Sequence, residues 1–317
     1  MTVLGIEHYI NQLESEISKY QLPQEPANLY DPLRYFFSLG GKRLRPVLTL
    51  MTAENFGAKG DNALHSAMAI ELFHNFSLIH DDIMDEAPFR RGKETVHTKW
   101  NNHIAILSGD VLLVKAYESL AKCDANYLPA LLDLFNKTAA EVCEGQQMDM
   151  DFEIRESVAE EEYIEMIRLK TSVLLGCAIQ FGGIVSDLDK NMQNALYDFG
   201  QYIGIAFQIK DDLLDLYGES AKVGKQIGGD VLSDKKTLLS IKAKEFGCDM
   251  QALNNITDNE QRIQKAQELF EEFGAKSYVE YSMRTYFSKA ISSLDHIPTD
   301  SKKQFNEFAE FLIERSH

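Results

Sequence analysis

The sequence is short of the residues that staple, bend or anchor a chain. Four cysteines occur among 317 residues, at positions 123, 143, 177 and 248, and none forms a CxxC pair or a zinc-ligand spacing. That excludes a disulfide framework and a zinc knuckle, and leaves reduced thiols in a cytoplasmic protein as the expectation. Prolines number seven and gather in breaks between longer segments. Basic residues are the minority sign, 32 Lys and Arg against 49 Asp and Glu, for a formal net charge of −17. A surface so negative disfavours nucleic acid and anionic membranes, and it makes each local basic cluster informative. No run approaches the ~18 apolar residues of a membrane span, so no stable membrane insertion is expected. The start, "MTVLGIEHYINQLE", has neither the basic nor the apolar region of a secretion signal.

Strand-like alternation is scarce too, and helical periodicity fills the space. Ile6, Tyr9, Ile10, Leu13, Ile17 and Tyr20 step by three or four, and Phe305, Phe308 and Leu312 do the same at the other end. Punctuation falls at "QLPQEP" (21–26), "EAPFRRGKE" (86–94), "YGESAKVGKQIGGD" (217–230) and "HIPTD" (296–300). No low-complexity linker divides the chain, so residues 1–317 read as one all-α domain. Segments 66–82 and 197–217 are apolar on most faces and are expected to lie centrally.

Both of these segments run into carboxylates. "HDDIMD" (80–85) carries Asp81, Asp82 and Asp85, and "DDLLD" (211–215) carries Asp211, Asp212 and Asp215. On a helix, positions i and i+4 share a face, so Asp81 and Asp85 point one way, as do Asp211 and Asp215. Like charges at that spacing destabilise a helix. An all-oxygen cluster suits a hard cation, and Mg²⁺ takes one or two carboxylates together with substrate phosphates. A single DDxxD is more often an acidic, solvated helix end; two of them, each closing an apolar segment, are not readily explained that way.

Basic clusters punctuate the same chain: "GGKRLRP" (40–46), "PFRRGK" (88–93), "RLKTS" (168–172) and "VGKQIGGDVLSDKKT" (223–237). Arginine forks and lysine charges are what phosphate oxygens require. Carboxylates repel a diphosphate directly and hold it only through metal ions. The composition therefore points to two acidic helix ends that grip a diphosphate through metals, above a greasy pocket.

Taken in order, "GGKRLRP", "SLIHDDIMDEAPFRRGKETVH", "LSGDVLL", "EGQQMDMD", "KTS", "FQIKDDLLD" and "GKQIGGD…DKKT" resemble the trans-isoprenyl diphosphate synthases, or polyprenyl synthetases, over roughly residues 40–240. The resemblance implies an orthogonal helical bundle around a central apolar pocket, usually as a homodimer. It implies head-to-tail coupling of isopentenyl diphosphate to an allylic diphosphate (dimethylallyl, geranyl or farnesyl). Three Mg²⁺ per active site are implied, on Asp81, Asp82 and Asp85 and on Asp211, Asp212 and Asp215. Lys42, Arg45, His74 and Arg91 then bind isopentenyl diphosphate. Arg90, Lys170, Thr171, Gln208, Lys225 and Lys235 hold the allylic diphosphate, with Asp81, Asp85, Asp211, Lys170 and Lys225 closest to the chemistry. Gln146 and Asp149 organise the site from behind, and residues 218–229 form a lid. His80, beside the first motif, is expected to be a packing histidine rather than a base. Lys235 rather than Lys236 is chosen from the family's K-x-T pattern.

Product length is expected to be gated on the segment before Asp81. By the resemblance, Phe76, an aromatic five residues upstream, with Phe73 a turn deeper and the small Ser77 beside it, implies a short product, C20 favoured over C15. A class I terpene cyclase and a non-catalytic partner subunit are the competing readings. The intact second "DDLLD" and the second cationic set weigh against both.

Overall fold

The computed structural model describes residues 5–218 and 227–314. Helix α1 (Glu7–Lys19) forms on the stripe noted above: Tyr9, Leu13 and Ile17 recur every four residues and all three are buried. Helices α2 (Ala27–Ser38) and α3 (Leu44–Asn55) follow, then α4 (Asn62–Met84). Residues Ala67 to Phe73 of α4 are buried without a break, so this helix has no solvent face along two turns. It packs against α3 and α6 (Asn102–Leu120). The basic "PFRRGK" forms the one hairpin among the described residues, Phe89–Arg90 against Lys93–Glu94, before a short α5 (Val96–Lys99). Its turn is Arg91-Gly92 with φ of 55° and 73°, the left-handed pair that a two-residue hairpin favours.

Helix α7 (Leu128–Glu153) is followed by α8 (Glu160–Ile167), a π-helical turn (Arg168–Ser172) and α9 (Val173–Ile184). The stretch Glu160–Ile184 is long and apolar enough to cross a membrane, yet 83% of that window is buried within the protein, as a core helix is. Helix α10 (Lys190–Tyr217) carries the second acidic motif. After it come α11 (Gly229–Leu232), α12 (Leu238–Glu245), α13 (Gln251–Asn254), α14 (Asn259–Glu272), α15 (Ala275–Ser293) and α16 (Thr299–Glu314). The all-α expectation holds. Phe305, Phe308 and Leu312 of α16 are buried, and Phe305 meets Phe199 of α10 edge-on at 5.5 Å between centroids.

The helices gather into two compact units. The first holds residues 1–136 and 177–193, with α1 to α6; the second holds 137–176 and 194–317, with α8 and most of α10 onward. The core of the second is one continuous cluster that includes Tyr163, Met166, Ile209, Leu238, Phe270 and Val279. All four cysteines are free thiols.

Candidate active site

In the first unit, the motif "DDIMD" occupies the last turn of α4, with Asp85 as the C-cap donating its backbone N–H to Asp81 O at 2.8 Å. This is the negative end of the helix dipole, where each carboxylate is unfavourable by about 0.3–1 kcal/mol unless a cation stands opposite. Asp81 is half-buried and Asp85 exposed, whereas Asp82 turns inward and is buried. Arg90, delivered by the hairpin, donates Nε to both Asp82 carboxylate oxygens at 2.8 and 2.9 Å, and its Nη2 lies 3.7 Å from Asp81 Oδ2. Burial raises the Asp82 pKa and Arg90 pulls it back.

About two turns earlier on α4, His74 Nε2 accepts from Arg45 Nη1 at 3.2 Å. Burial and the charges of Arg45, Arg91, Arg90 and Arg43 push His74 well below its ordinary value, so a neutral imidazole faces a cluster of guanidinium groups. Burial lowers Arg45 to about 10, which leaves it charged at neutral pH. Of the cations in "GGKRLRP", Lys42 is exposed and Arg43 is wholly inside. His80 is a packing residue: Nε2 lies 3.1 Å from Ile106 O, and its ring meets Phe76 edge-on at 4.7 Å between centroids. Gly109 of "LSGDVLL" makes room for it, since a Cβ there would fall 2.4 Å from His80 Nε2.

The second unit carries the other set. "DDLLD" lies in the last two turns of α10, again at a helix C-terminal end. Asp211 is exposed; Asp212 is buried and accepts from the Tyr163 hydroxyl. Burial and the nearby Asp230 push Asp212 up to about 7, against the hydrogen bond from Tyr163. Asp215 Oδ2 accepts from the backbone of Asp230 at 3.0 Å, which ties α11 to the motif. Lys170 and Thr171 stand on the π-helical turn, where Lys170 Nζ donates to Asp149 Oδ2 at 2.6 Å and Thr171 Oγ1 to Gln208 Oε1 at 3.4 Å. A cavity of about 50 Å³ is lined by Asp149, Lys170, Thr171, Gln208, Asp212 and Lys235 among others. Lys236 points elsewhere, donating to Glu153 O at 3.0 Å. Both amide atoms of Gln146 are buried without a hydrogen bond among the described residues. Lys225 and most of the expected lid at 218–229 lie outside the described residues.

Whether these donors suit a hard cation turns on how the carboxylates are placed. Among the described residues no three acidic, histidine or cysteine side chains converge into a ready cage. The middle aspartates turn inward, Asp82 to Arg90 and Asp212 to Tyr163. What each motif turns toward solvent is a pair of carboxylates or fewer, the set that Mg²⁺ uses when phosphate oxygens and water supply the rest. The residues therefore fit the ion.

A family model described as polyprenyl synthetase matches residues 26–273. The chain belongs to the polyprenyl synthetase family. It is 42% identical over 312 residues to a geranylgeranyl pyrophosphate synthase of Geoglobus acetivorans, covering 97% of this chain and 96% of that one. A crystal structure of a geranylgeranyl pyrophosphate synthase superposes with a TM-score of 0.91 at 41% identity and covers all of both chains. A polyprenyl synthase from Caulobacter crescentus CB15, solved in complex with calcium and isoprenyl diphosphate, matches at a TM-score of 0.83 and 27% identity over 98% of this chain and 95% of that one. As a polyprenyl synthetase the chain is a prenyltransferase that couples isopentenyl diphosphate to an allylic diphosphate.

Sequence reasoning left three polyprenyl-synthetase site features unseen. Tyr163 gave no signal, because an aromatic at helical spacing reads as core. The π-helical turn under "RLKTS" gave one indirect signal, a glycine (Gly145) in the interior of the 26-residue α7. Glu71, at 3% exposure, sat in an apolar run where a lone carboxylate calls for a partner.

Proposed function

We propose that this prenyltransferase makes geranylgeranyl diphosphate, C20, with Mg²⁺ as its metal. The observation that carries the length is the aromatic stack on α4 upstream of Asp81. Phe73 and Phe76 lie 5.5 Å apart between centroids, and Phe73 rests on Phe135 at 5.3 Å. An extended isoprene unit is close to one helical turn, about 5.4 Å, so a ring at this depth ends the growing chain after a few units. Ser77 spends its hydroxyl on His74 O at 2.9 Å and leaves the space beside Phe76 small-sided. The relative at 42% identity, named for the C20 product, supports the same reading. Product analysis tests it: C20 from the natural protein, longer chains from Phe76→Ala and longer still from Phe73→Ala/Phe76→Ala. C15 from the natural protein, or an unchanged product in both variants, would refute it.

Asp81, Asp85, Asp211 and Asp215 would hold the magnesium, and the metal supplies Lewis-acid charge on the leaving diphosphate. Lys170, Thr171, Gln208 and Lys235, with Arg90, bind that diphosphate and stabilise its charge as the allylic C–O bond ionises. Lys42, Arg45, His74 and Arg91 hold isopentenyl diphosphate, whose double bond attacks the cation; the departing diphosphate takes the proton. No protein nucleophile is required. The whole of 1–317 is read as one functional domain acting in the cytoplasm.

A homodimer is part of this reading. On α6, Ile106, Leu107, Val114 and Tyr117 expose 37–58% of their surface, an apolar face along nearly three turns of one helix with the exposed Asp110 in its midst. A second copy of the same face would cover it with two-fold symmetry. Sedimentation velocity should give two chains, and Leu107→Glu/Val114→Glu should give one. A natural protein that sediments as a monomer at micromolar concentration would remove the dimer.

A further inference from the structure

We propose that Glu71 is a positioning residue for isopentenyl diphosphate: through Arg43 it fixes the turn that presents Lys42 and Arg45, and so sets the affinity of that substrate. The inference rests on the assignment of Arg45, His74 and Arg91 to isopentenyl diphosphate made above. Glu71 Oε1 accepts a short hydrogen bond from Arg43 Nη1, and both side chains are buried, at 3% and 1% exposure. The Arg43 Nε donates to Glu14 Oε1 at 2.7 Å, so α1 reaches the same guanidinium from the other side.

Arg43 is the N-cap of α3 and stands in the left-handed region, at φ 49°. A non-glycine residue there is strained by on the order of 1–3 kcal/mol and persists only where its surroundings over-determine it. The buried pair with Glu71 is that determinant. Arg43 lies between Lys42 and the first turn of α3, which holds Arg45, so the anchor on its side chain fixes how both are presented. Glu71 and His74 are three residues apart on α4 and share a face, which aligns the anchor with the imidazole that meets Arg45. Arg91 closes the group. A Cβ on Gly41 would lie 3.1 Å from Arg91 Nη2 and 3.3 Å from Arg43 Nη1, so these two guanidinium groups converge on one glycine. Glu71 is a buried carboxylate that acts on three of these cations, Arg43, Arg45 and Arg91. Burial raises its pKa, and Arg43, Arg45 and Arg91 oppose that shift. An arginine hydrogen-bonded to it, which stays protonated, holds it as the carboxylate.

Glu71→Gln should raise the KM for isopentenyl diphosphate at least about tenfold and leave that for the allylic diphosphate within about twofold. The single variant leaves Arg43 as a buried charge with a lone, half-exposed partner, which puts folding at risk. Glu71→Gln/Arg43→Gln therefore serves beside it: two amides can bond each other and one buried cation leaves together with the carboxylate, although Arg45 and Arg91 also lose the charge of Glu71. The double variant should keep the natural Tm within a few degrees and show the same selective rise. Isothermal titration of isopentenyl diphosphate alone, with Mg²⁺, should weaken by the same factor. A folded double variant with unchanged KM for isopentenyl diphosphate, or with equal losses on both substrates, overturns the proposal. Arg45→Ala separates the two levels. If it raises the KM for isopentenyl diphosphate while the Glu71 variants do not, Glu71 alone is misread. If Arg45→Ala acts on the allylic substrate instead, the site assignment itself fails.

Discussion

Asp81→Ala is expected to lower turnover about a thousandfold or more while the fold stays intact. The carboxylate sits in the last turn of α4 with Asp85 four residues on, a pair that repels in the absence of a cation. Under the proposed metal role, removing it deletes one ligand, and with it charge stabilisation on the order of several kcal/mol in the transition state. The effect on stability is small and of mixed sign. Relief of i,i+4 repulsion and of the dipole conflict gains a few tenths of a kcal/mol each. The 3.7 Å approach of Arg90 Nη2, partly exposed, is worth no more than that. Thermal stability should therefore stay put while kcat collapses. Asp82→Ala should behave differently, since Arg90 loses a bidentate, buried acceptor and stability falls along with activity. Both variants are read by kcat with saturating Mg²⁺ and by Tm in its absence. Near-natural turnover in Asp81→Ala, or full activity of the natural protein in excess EDTA, would end the metal assignment.

The contrast between neighbouring aspartates shows where sequence reasoning stops. That α4 and α10 are core helices was legible from their apolar runs, and the DDxxD spacing told which positions share a face. Which carboxylate is spent inside the protein was not legible. That depends on a hairpin returning Arg90 to Asp82 and on α8 bringing Tyr163 to Asp212, both contacts between segments distant in sequence. The same holds for "GGKRLRP": three cations at one, two and four residues past the second glycine look alike as charges. Only the left-handed turn at Arg43 sends one to Glu71 and another to His74. The division into two compact units left no trace either, because α7, α9 and α10 each cross the boundary without a break in helical periodicity.

Gly145→Ala is the second variant with a large expected effect. A glycine inside a helix costs roughly 1 kcal/mol relative to alanine, so on propensity alone the change should stabilise α7. Geometry opposes it. The new Cβ would lie 2.2 Å from Lys170 N and 2.7 Å from both Leu169 C and Lys170 Cα. These are backbone atoms of the π-helical turn and cannot rotate aside as a side chain does. Either α7 or residues 168–172 must shift by an ångström or more, and overpacking of this kind costs about 1–3 kcal/mol or more. The clash, against rigid backbone, takes the upper part of that range and outweighs the propensity gain, so a net loss of up to about 2 kcal/mol is expected. Activity should suffer further, because the atoms displaced carry Lys170 and Thr171, and a misplacement near 1 Å costs about a hundredfold. Lys170→Ala is the comparison: it removes the charge, and its 2.6 Å bond to Asp149, without moving the turn. Gly145→Ala should lower both denaturant midpoint and kcat, whereas Lys170→Ala should lower kcat chiefly. A Gly145→Ala protein as stable and as active as the natural one would mean that the π-helical turn yields freely, and that its close seat on α7 does not position Lys170.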